Sequence, residues 1–251
     1  MKIFAVTQAR LGSTRLPAKI LRTIGGQTIL ELHLQRLKQS RLITQFVLAT
    51  TNLPQDLVFK EIADKQNFIF FTGSESDVLS RFFHATTPLQ PDYVVRITAD
   101  CPLIDAALVD KVIQFTIDSN LDYASNTLVE EFPDGQDVEV FNFLALEKAF
   151  HEAVLVSERE HVTPYIKKNS TFNAGSLFKS AQFTSDVNYH KVRMTVDEEA
   201  DFELIKLLVE KLGTDKSWLE YTNYILENNI QINTDIIRNE GYLKSLKNDN
   251  K

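Results

Sequence analysis

The sequence predicts an α/β fold: a mostly parallel central sheet with flanking helices. Short apolar runs alternate along the chain with longer segments whose apolar residues recur at helical spacing. Several runs are apolar at every position, which is typical of parallel strands buried on both faces and joined by right-handed crossovers. A chain of 251 residues, 43% of them hydrophobic, is long enough for a substantial core. We therefore expect one domain over residues 1–251, with residues 213–251 as a C-terminal helical appendage.

The first half of the chain alternates strands with helices. Thr28 and Glu31 have the spacing of a capping box, in which each side chain bonds the other residue's backbone N–H at a helix start. Pro54 suits the first turn of a second helix. The predicted strands are 3–6, 46–50, 68–71 and 93–97, and the predicted helices are 28–40, a segment from Pro54 through Ala63, a segment from Asp77 through Phe83, and 105–118.

The second half is less regular. Asp134-Gly135 is a turn signal, residues 157–160 read as a second capping box, and Pro164 interrupts the helix that this box opens. The predicted strands are 137–141, a stretch within 172–183, and 192–196. The predicted helices are 143–153, 199–212 and 217–227, and an apolar stretch at 230–232 precedes a charged end.

The loop at residues 8–19, directly after the first strand, reads Gln-Ala-Arg-Leu-Gly-Ser-Thr-Arg-Leu-Pro-Ala-Lys. Its cations Arg10, Arg15 and Lys19 all precede the first acidic residue, Glu31, in a chain that is acidic overall. Such a basic Gly/Ser loop between a strand and a helix presents N–H groups and charge to phosphates in many α/β proteins. The loop lacks the patterns of a P-loop or a dinucleotide site. On loop chemistry alone, a triphosphate site and a plain solvated loop remain equally good interpretations.

Charge and composition exclude several classes of protein. Twenty-seven basic and 34 acidic side chains give a net charge of −7, which argues against general affinity for nucleic acid or anionic membranes. The single cysteine, Cys101, cannot form an internal disulfide and lacks the surrounding motif of a hydrolase nucleophile. No apolar run approaches the roughly 20 residues of a membrane span. We expect a cytoplasmic protein that binds neither nucleic acid nor membrane.

Ligands of parallel sheets bind beyond the carboxyl ends of the strands, so the loops 8–19, 72–77 and 98–103 should gather at one edge. Asp100 and Asp197 each follow a predicted strand and could face each other there. Two carboxylates beside phosphate oxygens suit Mg²⁺, which takes few protein ligands. Alternatively, each aspartate is an ordinary helix cap or turn residue.

Other polar groups also allow two interpretations. Asp77 and Arg81, four positions apart on a predicted helix, could bind a ligand or form only a surface ion pair. Asp137 and Glu139 share one face of a predicted strand. Together with Asp134, they could bind hydroxyl or amine groups of a substrate or form a solvated acidic hairpin.

The 8–19 loop resembles the opening motif of the cytidylyltransferase family that includes CMP-Kdo synthetase and the spore-coat polysaccharide biosynthesis protein F, and it is more similar to the spore-coat branch. Six further stretches match in order: 73–82, 96–105, 133–141, 158–165, 195–198 and 238–242. The resemblance implies a glycosyltransferase-A-like fold, that of nucleotide-diphospho-sugar transferases. It also implies an enzyme that moves CMP from CTP onto a sugar acid, sugar or other small acceptor and releases pyrophosphate, for surface polysaccharide or glycoconjugate synthesis.

Two other classes stay open, namely a glycosyltransferase that uses a nucleotide sugar and a non-catalytic nucleotide-binding protein. A glycosyltransferase would release free nucleotide and no pyrophosphate. A binding protein need not retain both metal carboxylates, whereas this chain has Asp100 and Asp197. That favours an enzyme.

The resemblance further implies the residues of the site. The catalytic residues would be Arg10, Lys19 and Asp100, and the metal, Mg²⁺ or alternatively Mn²⁺, would lie on Asp100 and Asp197. The implied nucleotide-binding residues are Gln8, Ala9, Arg10, Gly12, Ser13, Arg15, Lys19, Gly73, Asp77, Arg81, Thr98 and Asp100. The implied acceptor-binding residues are Asp134, Asp137, Glu139, Glu158, His161 and Arg193. The family also implies a homodimer.

Overall fold

The computed structural model of the chain describes residues 1–13, 15–231, 233 and 238–249. Its centre is a seven-stranded sheet in the order β5-β4-β1-β6-β8-β7-β9, and β2 and β3 form a small separate hairpin. The strands are β1 (Ile3–Gln8), β2 (Thr23–Ile24), β3 (Gln27–Thr28), β4 (Gln45–Thr51), β5 (Ile69–Gly73), β6 (Tyr93–Thr98), β7 (Tyr123–Ser125), β8 (Glu139–Asn142) and β9 (Ser180–Gln182).

Parallel pairing builds the half of the sheet that carries the predicted site. β1 lies between β4 and β6, parallel to both, and β5 pairs with β4 in the same direction. β8 pairs antiparallel with both β6 and β7, whereas β9 pairs parallel with β7. In the register of β1 and β6, Gln8 lies opposite Thr98, so the loops that follow these two strands leave the sheet side by side. This confirms the predicted mostly parallel sheet.

Helices cover both faces of the sheet. On β4, Leu48 packs into a buried cluster with Leu34 and Ile205, while the preceding Val47 packs into another with Phe82 and Leu146. Neighbouring residues of a strand point to opposite faces, so both faces of β4 are buried. The helices are α1 (Ile29–Leu37), α2 (Phe59–Gln66), α3 (Val78–Thr86), α4 (Ala106–Asp118), α5 (Phe143–Glu152), α6 (Val156–His161), α7 (Pro164–Lys168), α8 (Glu199–Leu212), α9 (Trp218–Glu227) and α10 (Glu240–Leu246).

Local capping chemistry explains where several helices begin. The predicted capping box of Thr28 and Glu31 is present at the start of α1. Asp77 accepts the N–H of Ser80 at the start of α3, and Asp105 caps α4 in the same way. These side chains satisfy backbone N–H groups that have no partner inside the helix.

The structure corrects several predicted elements. The second capping box is not at residues 157–160, because α6 begins at Val156 and the carboxylate of Glu158 caps it. Residues 192–196 form no strand; they make one isolated bridge, between Asp134 and Arg193. The strands β2, β3 and β7 and the helix α10 were not predicted. In the apolar stretch 230–232, Ile232 lies outside the described residues.

No helix in the described ranges is long and apolar enough to cross a membrane.

Candidate functional site

Two adjoining cavities lie at the carboxyl edge of the parallel strands. The larger has a volume of about 510 Å³ and the smaller about 200 Å³. The residues that line both cavities, and so form the boundary between them, are Arg15, Thr98, Asp100, Asp197, Glu240 and Gly241. Three of these were predicted to bind the nucleotide, and two to bind the metal. The edge location agrees with the rule for ligands of parallel sheets.

The loop after β1 forms one wall of the larger cavity. The loop residues predicted to bind the nucleotide all line it: Gln8, Ala9, Arg10, Gly12, Ser13, Arg15 and Lys19. Thr14 lies outside the described residues. Asp56, whose side chain is fully buried after β4, anchors the loop by accepting a hydrogen bond from the N–H of Leu11 at 2.9 Å. Sequence reasoning missed Asp56, because only the pairing of β1 with β4 brings it under the loop.

Lys19 joins the two predicted metal ligands. Its Nζ lies 2.8 Å from Oδ2 of Asp100 and 2.9 Å from Oδ1 of Asp197. Asp197 reaches this point although residues 192–196 form no strand, because the N–H of Val196 and the hydroxyl of Thr195 both donate to the carbonyl oxygen of Asp100, at 2.9 and 3.2 Å. The two carboxylates therefore converge as predicted, but for a different structural reason.

The electrostatics of this cluster follow from its burial and its charges. Burial alone would raise the pKa of Asp100, but the Lys19 ammonium overcomes this effect and lowers the pKa to about 2. Burial would likewise lower the pKa of Lys19, yet the carboxylates of Asp100 and Asp197 raise it above its usual value. At neutral pH, Lys19 and Asp100 are therefore both charged.

The carboxylates of Asp100 and Asp197 suit a divalent cation. Both are oxygen donors, and both already surround one cationic atom, Lys19 Nζ. Within the described part of the chain, no group of three or more His, Cys, Asp or Glu residues is arranged so that it could hold a metal ion. Mg²⁺ does not need such a group, because it retains water and takes phosphate oxygens as ligands.

Three buried polar atoms on the wall of the larger cavity have no hydrogen-bond partner among the described residues: Gln8 Oε1, Arg81 Nε and His161 Nε2. Burial lowers the pKa of Arg81 to about 10 and that of His161 to about 4, so at neutral pH the guanidinium is charged and the imidazole is neutral. Buried polar groups without partners are rare in folded proteins. Because three such atoms lie on the wall of one cavity, we expect a polar ligand to supply their hydrogen-bond partners.

The smaller cavity contains the predicted acidic residues Asp134, Asp137 and Glu139, together with Arg193. Gly135 allows the turn to approach the segment 192–197: its φ is +103°, and a Cβ atom there would lie 2.6 Å from the carbonyl carbon of Met194. Any other residue would clash with this backbone. The close approach lets Arg193 contact Asp134 on one side and Asp197, at 2.6 Å, on the other.

Glu139 faces the smaller cavity, but its carboxylate is fully used within the protein. It accepts bonds from Arg96 at 2.5 Å, the hydroxyls of Tyr123 and Thr163 at 2.7 Å each, and Lys167 at 2.8 Å. Burial would raise the pKa of Glu139, but Lys167 and Arg96 hold it far below its usual value. The contacts of Glu139 thus orient two cations, Arg96 and Lys167, at the cavity wall.

Four predicted site residues are placed differently from their expected positions. Asp77 lies outside both cavities, where it caps α3 and pairs with Arg159 instead of Arg81. Gly73 also lies outside both cavities. It leaves room for the Arg81 side chain, because a Cβ atom on residue 73 would lie only 3.2 Å from Cγ of Arg81. Glu158 caps α6 through the N–H groups that precede it. His161, predicted to bind the acceptor, lines the larger cavity together with the loop residues predicted to bind the nucleotide.

The C-terminal residues 238–249 contribute to both cavities, which the site prediction missed. Glu240 of α10 pairs with Arg15 at 3.0 Å, and the ring of Tyr242 packs edge-on against His161 at 5.3 Å. Arg238 donates to the Asp137 carboxylate and to the carbonyl oxygen of Phe132. The available signal was the matched stretch 238–242, whose role the sequence does not define.

Arg96 and Lys167, which line the smaller cavity, were also missed, although Arg96 lies within a matched stretch.

The fold and the basic loop on the wall of the larger cavity are those expected of a nucleotide-binding transferase, and the comparisons agree. The family model described as cytidylyltransferase matches residues 4–232. The chain is 33% identical to the spore coat polysaccharide biosynthesis protein SpsF of Bacillus subtilis, covering 84% of this chain and 88% of that protein. It is 40% identical to an uncharacterized protein of Methanocaldococcus jannaschii, covering 81% and 82% of the two chains. The chain belongs to the cytidylyltransferase family, and it is therefore an enzyme of the nucleotidyltransferase class.

Solved structures agree with the family and the fold. A cytidylyltransferase from Leptospira borgpetersenii superposes with a TM-score of 0.87 at 33% identity, covering 94% of this chain and 99% of that one. A CMP:2-keto-3-deoxy-manno-octonic acid synthetase complexed with CTP has a TM-score of 0.61 at 17% identity, with 84% and 99% coverage. A manganese complex of a Mycobacterium tuberculosis protein has a TM-score of 0.53 at 12% identity, with 81% and 97% coverage. The two distant likenesses show the shared fold, which is the predicted nucleotide-diphospho-sugar transferase fold.

Proposed function

We propose that this protein transfers CMP from CTP to a small, oxygen-rich acceptor and releases pyrophosphate. The observation that carries the proposal is the cluster of Lys19, Asp100 and Asp197 at the boundary of the two cavities. A triphosphate in the larger cavity and an acceptor in the smaller one would meet at this boundary. The CTP complex of a protein with the same fold supports the choice of nucleotide.

In this proposal the loop after β1 positions the triphosphate. Arg10, Arg15 and Lys19 bind the β- and γ-phosphates through charge-assisted hydrogen bonds, and the backbone of Gly12 and Ser13 completes the wall. Transfer of this kind depends on positioning and charge neutralisation more than on a protein nucleophile. A divalent cation held by Asp100 and Asp197 would offset the negative charge of the α-phosphate and of the leaving pyrophosphate.

The base would occupy the part of the larger cavity lined by unpartnered groups. Cytosine offers an N–H donor at N4 and acceptors at N3 and O2. Gln8 Oε1 is an acceptor and Arg81 Nε–H a donor, and neither has a partner among the described residues. Thr98 lies on the same wall. These groups complement the edge of a pyrimidine better than an apolar wall would.

The acceptor would occupy the smaller cavity, whose chemistry favours a polyhydroxylated molecule such as a sugar acid or sugar. A volume of about 200 Å³ limits the acceptor to a small molecule. Asp134 and Asp137 offer carboxylate oxygens to hydroxyl or amine groups, while Arg96 and Arg238 each have a buried Nε–H without a hydrogen-bond partner in the described chain. Because SpsF takes its name from spore coat polysaccharide biosynthesis, we further propose a role in polysaccharide or glycoconjugate synthesis.

The test is pyrophosphate release with each of CTP, UTP, ATP and GTP, in the presence of Mg²⁺, against a panel of sugar acids, sugars and phosphorylated sugars. We expect release with CTP and at least one acceptor, and loss of release in Asp100→Asn. Asp118→Asn, at the end of α4 and in neither cavity, is the matched control. Release of free nucleotide from a nucleotide sugar, without pyrophosphate, would instead identify a glycosyltransferase.

A further inference from the structure

Two of the three cations proposed to bind the triphosphate, Lys19 and Arg15, are already paired with the carboxylates proposed to bind the metal. Lys19 Nζ lies 2.8 Å from Asp100 and 2.9 Å from Asp197. Arg15 lies 2.9 Å from the same oxygen of Asp197 and also pairs with Glu240, at 3.0 Å. In this structure, therefore, neither set of groups is available to its proposed ligand without breaking ion pairs.

The two ion pairs of Lys19 are largely shielded from water, which makes their disruption energetically important. The side chain of Lys19 is 13% exposed, and those of Asp197 and Asp100 are 19% and 27% exposed. Charges interact more strongly where water is largely excluded than at an open surface. A cation entering between the two carboxylates would be repelled by the Lys19 ammonium, and a triphosphate approaching Lys19 would be repelled by the two carboxylates.

We propose that Lys19 is an exchangeable counter-ion. It neutralises Asp100 and Asp197 in the nucleotide-free enzyme and moves to the phosphates when a divalent cation takes over the carboxylates. This inference rests on the proposed function, because it assumes that a nucleotide triphosphate and a divalent cation share this site. Each ligand removes the charge that opposes the other, so metal and nucleotide bind with positive cooperativity, and the coupling is equal in both directions.

The exchange makes a specific prediction for metal binding without nucleotide. Mn²⁺ serves as the probe, and its free concentration is measured by electron paramagnetic resonance. Lys19→Met keeps most of the side chain's volume but removes its charge, so it should bind Mn²⁺ at least about tenfold more tightly than the wild type. Lys19→Arg keeps the positive charge and should bind Mn²⁺ as weakly as the wild type. The gain should disappear when Asp100→Asn is added to Lys19→Met.

Lys65→Met is the matched control, since Lys65 also pairs with a carboxylate, Glu31 at 2.8 Å, but lies outside both cavities. It should leave Mn²⁺ affinity unchanged. Melting curves verify that each variant is folded, and Lys19→Gln replaces Lys19→Met if the latter does not fold. Mn²⁺ affinity within twofold of wild type in the folded, charge-free variant would overturn the exchange.

A second titration separates this proposal from the proposed function. CTP is added to the wild type at saturating and at zero Mn²⁺. If CTP does not bind in either case, the proposed function fails. If CTP binds equally well with and without Mn²⁺, the proposed nucleotide site is retained and the proposed exchange of Lys19 is overturned. The exchange requires Mn²⁺ to raise CTP affinity in the wild type at least about tenfold, and by a smaller factor in Lys19→Met.

Discussion

At the scale of single residues, several ionisable side chains buried close to the site are held in one protonation state by their surroundings. His33 of α1 is the clearest case. Its ring is fully buried, with one nitrogen 2.9 Å from the carbonyl oxygen of Cys101 and the other 3.0 Å from the hydroxyl of Thr7. These bonds require the neutral ring to donate to Cys101 and accept from Thr7. The contact supports the backbone beside Asp100.

This arrangement predicts how stability depends on pH. Burial lowers the pKa of His33 from 6.5 to about 4. The unfolded chain binds more protons between these two values, so the stability that His33 contributes is complete above about pH 6.5 and is lost as the pH falls towards 4. The loss is on the order of 3 kcal/mol at 1.36 kcal/mol for each pKa unit.

The measurement is the free energy of unfolding by urea between pH 7 and pH 4. The stability advantage of the wild type over His33→Gln should shrink as the pH falls. The exposed His84 supplies the control, since His84→Gln should give a curve parallel to that of the wild type. Parallel curves for His33→Gln as well would show that the buried ring is not the source of the pH dependence.

Sequence patterns at this scale identify residue types better than partners. The alternation in 137–141 predicts that Asp137 and Glu139 share one strand face, and both line the smaller cavity, although β8 begins only at Glu139. It does not reveal that Glu139 accepts four bonds within the protein, because its donors come from β6, β7 and the region of α7. Contacts between residues so far apart in the chain produce no periodic sequence pattern from which they could be predicted.

At the scale of elements, the strands of the parallel half of the sheet and several helices were predicted well, whereas residues 192–196 were wrongly predicted to be a strand. The box at Thr28 and Glu31 and the apolar spacing within 199–212 both predicted real helices. Residues 192–196 have the composition of a strand but make only one isolated bridge. The composition of this segment correctly indicates burial, since Val192, Met194 and Val196 are all buried. It does not indicate whether another strand pairs with the segment.

The α6 helix gives a test that separates a capping residue from a ligand-binding one. The carboxylate of Glu158 accepts the N–H groups of Val154 and Leu155, at 3.1 and 3.2 Å. Loss of a cap typically costs about 1 kcal/mol. Glu158→Ala should therefore lower the melting temperature by roughly 2–4 °C, at about 2–4 °C per kcal/mol for a chain of this size. CTP affinity by calorimetry should stay within twofold.

The control is Glu210→Ala, on an exposed position of α8, which should leave the melting temperature unchanged. If Glu158→Ala instead weakens CTP binding tenfold or more at an unchanged melting temperature, Glu158 contacts the ligand and the capping assignment is contradicted.

At the scale of the whole molecule, the site is assembled from distant parts of the chain. The loop after β1, Asp100 after β6, the segment ending at Asp197 and the helix α10 all meet at the boundary of the two cavities. The sequence predicts the sheet and the edge where ligands bind, because buried strands and the loops after them are local patterns. The position of α10 could not be predicted, because it depends on contacts with residues far away in sequence, such as Arg15 and His161.

The central claim at this scale is that Asp100 and Asp197, 97 positions apart (197 − 100), hold one divalent cation beside the triphosphate. The most direct measurement is the factor by which saturating Mg²⁺ raises CTP affinity, determined by calorimetry for the wild type, Asp100→Asn, Asp197→Asn and the double variant. If both carboxylates act on one ion, each single variant loses most of this factor and the double variant loses little more, since residues acting as a unit are not additive. Retention of the full factor in either single variant, or independent losses that multiply in the double variant, would contradict the shared site.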